Sequence, residues 1–198
     1  MKLASLFCLG LLLFISRAYA AEETYALAIL EFQNKAERII SVNRWTMAED
    51  LAKYLRKKND KIEVVKRKDL LKTVEEPSWQ GTRLTLAQEK AIAGMGVRYL
   101  VYGTIAEWRT RGAVNDAFRE AVPEATVIFS FDVVDLSTGK VVKSFTTDGR
   151  ATGRLGRIET EDPMDTDDTK HEESLRDATD VALSKAAHEI LKILEMRL

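Results

Sequence analysis

The chain has 198 residues, with 30 Lys and Arg against 31 Asp and Glu, and 45% of it is hydrophobic. This length suits one domain with a sizeable core, and the near-neutral charge excludes the strong basic field that nucleic acid or an anionic membrane surface would call for. The single cysteine, Cys8, excludes an internal disulfide framework and a thiolate metal site.

Residues 1–20 read as a secretory signal. Lys2 supplies a positive start, Leu6 to Ile15 is nearly all apolar, and Ala18-Tyr19-Ala20 places small residues before a cut ahead of Ala21. The apolar run is too short to cross ~30 Å of hydrocarbon as a permanent helix. Cys8 leaves with this segment, and Ser5-Leu6-Phe7 before it lacks the small residues that lipoprotein processing expects, so no lipid anchor is expected. The mature chain is then residues 21–198, with 28 basic and 31 acidic groups once Lys2 and Arg17 are removed.

Tyr25 to Phe32 predicts a mostly buried strand, and Asn34 to Ser41 a loop. Asn43 to Lys58 predicts an amphipathic helix, with Met47, Ala48, Leu51, Tyr54 and Leu55 on one face and either Asn43 or a Thr46/Glu49 box as its cap. Lys61 to Lys66 predicts a short strand, and Asp69 to Glu76 a short helix stopped by Pro77. Thr85 and Gln88 form a capping box opening a helix that ends near Gly94 and Gly96. Val97 to Arg109 predicts a long strand. Thr126 to Asp135 alternates more cleanly, with Val127, Phe129, Phe131 and Val133 on one face. Ser137-Thr138-Gly139 turns the chain back into Lys140 to Thr147, the partner strand of a hairpin. Glu159 to Glu173 is acidic and reads as an exposed loop. Ser174 to Leu198 predicts a final helix with Leu175, Ala178, Ala182, Ala186, Ile190 and Ile193 as its buried stripe. The order β-α-β-α-α-β-β-β-α implies an α/β (α+β) single domain, a mixed sheet flanked by helices.

Motifs for chemistry are sparse. His171 and His188 have no second histidine at metal spacing. Asp165, Asp167, Asp168 and Glu172 could hold a divalent cation, but Thr169 and Lys170 stand where an EF-hand loop needs an oxygen ligand and glycine. The glycines at 94–96 and 149–156 do not match a phosphate-cradling loop, and Lys66-Arg67-Lys68 reads as a solvated basic face. No Ser-His-Asp order or nucleophile elbow is present. Trp79, following Pro77 in a loop, and Trp108, near a strand end, are candidate anchors for a partner protein.

Three stretches, Ile62 to Leu71, Ala91 to Thr104 and Phe131 to Val142, resemble the CsgG-type family, which includes a curli-secretion channel subunit and activators of penicillin-binding proteins. Gly96 to Gly103 and the Thr138-Gly139 turn carry the resemblance most specifically, and Gly96, Gly103, Thr138 and Gly139 act there as fold determinants. The resemblance implies a periplasmic module that contacts other envelope proteins or its own copies. Membrane-inserting hairpins would correspond to Arg109 to Glu124 and Gly149 to Glu173, whose charges do not supply an outward apolar band. The expectation is a non-catalytic envelope accessory protein without cofactor, membrane insertion or anchor, working through a sheet edge or the loops Pro77 to Arg83 and Arg109 to Pro123. The alternative is a small-ligand or cation binder using Glu159 to Glu173.

Overall fold

The computed structural model describes residues 25–36, 44–74, 83–115, 120–152 and 167–196. Its elements run β1 (Tyr25–Ile29), β2 (Gln33–Asn34), α1 (Arg44–Lys58), β3 (Ile62–Val64), α2 (Arg67–Thr73), α3 (Leu86–Gly94), β4 (Tyr99–Asn115), β5 (Glu120–Asp135), β6 (Lys140–Thr152) and α4 (Asp167–Glu195). The strands form one mixed sheet in the order β3-β1-β4-β5-β6, with β2 added beside β4. β1 lies parallel to β3 and β4, because each connection carries a helix back across the sheet. β4, β5 and β6 are successive antiparallel hairpins.

Helices cover both faces. Gly149 of β6 touches the backbone of α4 at Ala178, and its ladder neighbours Val127, Phe129 and Phe131 share that face and are buried. Gly103 pairs with Phe131 and also looks this way. Phe32 fills the space above it, meeting Phe129 and Phe131 edge-on with ring centres 5.4 and 5.6 Å away. The next residue, Tyr102, faces the opposite side. There its hydroxyl accepts from the Leu84 amide (3.3 Å) and donates to Glu89 on α3 (3.1 Å).

The local signals at turns act as their chemistry requires. Thr85 accepts from the Gln88 amide while the Gln88 side chain returns to the Thr85 amide, closing the capping box. Gly96 (φ 86°) ends α3, and Gly139 (φ 66°) ends the β5–β6 turn. In that turn the Gly139 amide donates to the Asp135 carbonyl at 2.8 Å. The Ser137 amide and hydroxyl both donate to the Asp135 carboxylate, and the Thr138 hydroxyl donates to the Asp135 carbonyl. These bonds and the Arg98 cation outweigh the burial that would raise Asp135, and hold its carboxyl below the usual 3.8.

Several expectations need correction. Asn34, placed in a loop, pairs in β2. Thr46 lies inside α1 and does not cap it, and α2 runs Arg67–Thr73, starting and ending earlier than expected. The acidic stretch is not a loop from Asp167 onward, since α4 spans Asp167–Glu195. Residues 159–166 lie outside the described part.

The segment Arg109 to Pro123 is not a loop either. β4 and β5 continue as paired strands to Asn115 and from Glu120. Arg111 stands opposite Glu124 and Gly112 opposite Pro123 in this register.

Candidate binding groove between the first and last helices

Trp108 is half-buried at the base of an open groove of about 710 Å³. One register irregularity, between Ile105 and Glu107, precedes it in β4. A bulge of this kind bends a strand and re-aims the side chains that follow it. One wall is α1, whose periodicity turns Met47, Leu51 and Leu55 into the core and leaves Asp50, Lys53 and Lys57 at the rim. The other wall is the start of α4, with Leu175 and Thr179 facing in and Glu172, Arg176 and Asp180 above them.

The groove is apolar at its floor and charged at its edge. Lys53 and Asp50 pair at 2.7 Å, which holds the lysine cation above its usual range. Burial, aided by the Asp180 and Asp50 carboxylates, pushes the Tyr54 phenol upward, so it remains a neutral donor to Asp180 at ordinary pH. The Thr179 hydroxyl is already committed to the Leu175 carbonyl at 2.7 Å. This arrangement presents an aromatic anchor and a charged rim, which are contact chemistry.

The other singled-out residues lie elsewhere. Trp79 and most of Pro77 to Arg83 fall outside the described residues. Gly96, Gly103, Thr138 and Gly139 shape the fold away from the groove. His188 is exposed on α4. Among the described residues no three His, Cys, Asp or Glu side chains gather as a metal site. The sheet edge at β6 is guarded: Lys185 donates to the Asp148 carbonyl at 2.8 Å and pairs with its carboxylate at 3.2 Å. A lysine so placed hinders a further strand from adding to an edge. The sequence names Trp108 as a candidate anchor but does not show the groove, since Tyr54 and Leu175 read there only as core positions of two helices distant in the chain.

No family model and no curated protein matches this sequence. Solved structures do. The hypothetical protein CT253 of Chlamydia trachomatis matches with a TM-score of 0.51 and 14% identity, over 87% of this chain and 96% of that one. Lipoprotein GNA1162 of Neisseria meningitidis matches with a TM-score of 0.51 and 17% identity, over 68% and 88%. Protein XCC0632 of Xanthomonas campestris reaches 0.52 at 10% identity, over 88% and 87%. The likeness is one of fold. This α+β domain is therefore a recurrent bacterial architecture, and its use in the present chain rests on its own surface.

Proposed function

We propose that this chain is an exported, non-catalytic protein of the bacterial envelope that binds a partner protein through the α1–α4 groove, with Trp108 as the anchor. The observation that carries the reading is the groove itself: a half-buried tryptophan at an apolar floor with charged residues at its rim matches the composition of interface hot spots. The secretory signal ending at Ala20, the CsgG-type resemblance and the fold shared with a Neisseria lipoprotein support the location. In this reading the mature protein carries no lipid anchor and no cofactor, and the β4–β5 arm beyond Thr110 extends the contact surface without entering a membrane.

The test is a paired capture from envelope extracts with the intact protein and Trp108→Ala as bait. Partner recovered by the first and lost with the second supports the groove. Equal recovery by both baits moves the contact elsewhere. N-terminal sequencing of exported material reads the cut before Ala21 directly. Capture of only the protein's own copies identifies the partner as a second subunit.

A further inference from the structure

We propose that a second cleft, of about 250 Å³ between α1 and the ends of β1 and β3, binds a phosphate group. Its position follows from topology. β1 and β3 are parallel, Ile29 and Val64 are their last residues, and both line the cleft. In open sheets with helical crossovers, the carboxyl ends of parallel strands are the usual place for a ligand crevice.

The charge of the lining selects the ligand. Lys53 and Arg56 project from α1 one turn apart, and Lys66 and Arg67 follow β3 directly. Glu49 is the one carboxylate among the lining residues. Lys53 is engaged by Asp50, and Arg67 has an interaction of its own. Arg56 and Lys66 make no ion pair among the described residues, and both are exposed at the cleft mouth. Like charges brought together from two elements repel one another, so an anion placed between them gains from both. Two guanidinium groups and two ammonium groups suit phosphate, whose oxygens can accept forked and single donors at once. The floor is formed by the buried Ala48 and Ala52, small residues that leave room beneath the cations.

Inorganic phosphate is the first probe, titrated into the purified protein against sodium chloride at matched ionic strength while the melting temperature is followed. A ligand of the folded state raises that temperature saturably. The double variant Arg56→Gln/Lys66→Gln removes two exposed side chains and is expected to weaken binding roughly tenfold or more. Glu49→Gln removes the opposing carboxylate and is expected to tighten it, which keeps the proposal open to test if the double variant fails to fold. Flotation with vesicles of phosphatidylglycerol or phosphatidylcholine distinguishes the source. Capture by the anionic vesicles alone, lost in the double variant, assigns a lipid headgroup. Stabilisation by free phosphate without capture assigns a soluble phosphate ligand. Equal effects of phosphate and chloride with no vesicle capture, or a phosphate response unchanged in both variants, would overturn the proposal.

Discussion

From Ala178 to Ile190 one face of α4 lies against the sheet with Ala178, Ala182, Leu183, Ala186, Ala187 and Ile190 wholly buried, whereas at the helix start another face, carrying Glu172, Leu175, Arg176, Thr179 and Asp180, forms the wall of an open groove. The difference is one of side-chain volume on both partners. Along the sealed part, alanines meet a strand whose nearest residue is Gly149, and helix and strand backbones touch. At the open part, the larger side chains of Trp108, Tyr54 and Leu175 line the groove. One helix thus serves as core along most of its length and as binding surface at its start. Stability variants should cluster in the first region and binding variants in the second.

The sharpest way to break that contrast is Gly149→Val. A Cβ at this position would lie 1.8 Å from the Ala178 carbonyl oxygen and 2.9 Å from the Ala182 amide, both backbone atoms that cannot rotate away. We expect a loss of about 3 kcal/mol or more, from overpacking against an immovable wall. For a domain of this size that is a fall of roughly 6–12 °C in melting temperature, read by circular dichroism. A melting temperature equal to that of the unaltered protein would mean that α4 is not seated on β6.

Gly103→Ala presses on the same face of the sheet from β4, where the obstacle is a side chain. The new Cβ would sit 2.6 Å from the Phe32 ring, which is fully buried. The expected cost is about 1–3 kcal/mol. Because the ring can be shortened, Phe32→Leu in the same chain should recover part of the loss, with a coupling of about 1 kcal/mol in a double-mutant cycle. Strictly additive losses would show that the two residues do not share the space.

A smaller effect is expected at the β5–β6 turn. Asp135→Asn removes the charge that the Ser137 amide and hydroxyl address, at about 1 kcal/mol near pH 7. Because the folded protein holds Asp135 below its ordinary 3.8, the carboxylate's contribution is complete above that value and is lost as pH falls through the depressed folded value. Urea unfolding of both proteins should therefore differ at neutral pH and converge in acid. A difference that persists unchanged in acid would assign the cost to shape.

What could be read from the chain and what could not divide along the same physical line. Local signals were legible: the Thr85–Gln88 box, the positive φ at Gly96 and Gly139, the alanine stripe of α4, and the alternation of Val127, Phe129, Phe131 and Val133. Each depends on residues within a few positions of one another. The extension of β4 and β5 past Arg109 is not legible locally, because charges and Pro123 read as loop, and only the register across the hairpin reveals the strands. Gly149 was weighed as a phosphate-loop glycine and missed as a packing one, since its neighbour Ala178 arrives from a different element. The groove has the same origin: Tyr54, Trp108 and Leu175 come from three elements, and no spacing in the chain brings them together.

Trp108 carries an equally small expected change in stability and the most direct reading of function. Half-buried at an open groove, it leaves behind accessible space when truncated, where a core cavity would stay dry and empty. Trp108→Ala should therefore lower stability by only about 1 kcal/mol, well below the cost of removing a buried core aromatic. Partner capture should fall roughly tenfold or more, because truncating a central aromatic anchor removes contact area that rim charges cannot replace. Trp108→Phe keeps a ring at the floor and should retain most of both. If Trp108→Ala instead unfolds the domain as severely as Gly149→Val, Trp108 belongs to the core. The contrast between the two ends of α4 would then lose its functional meaning.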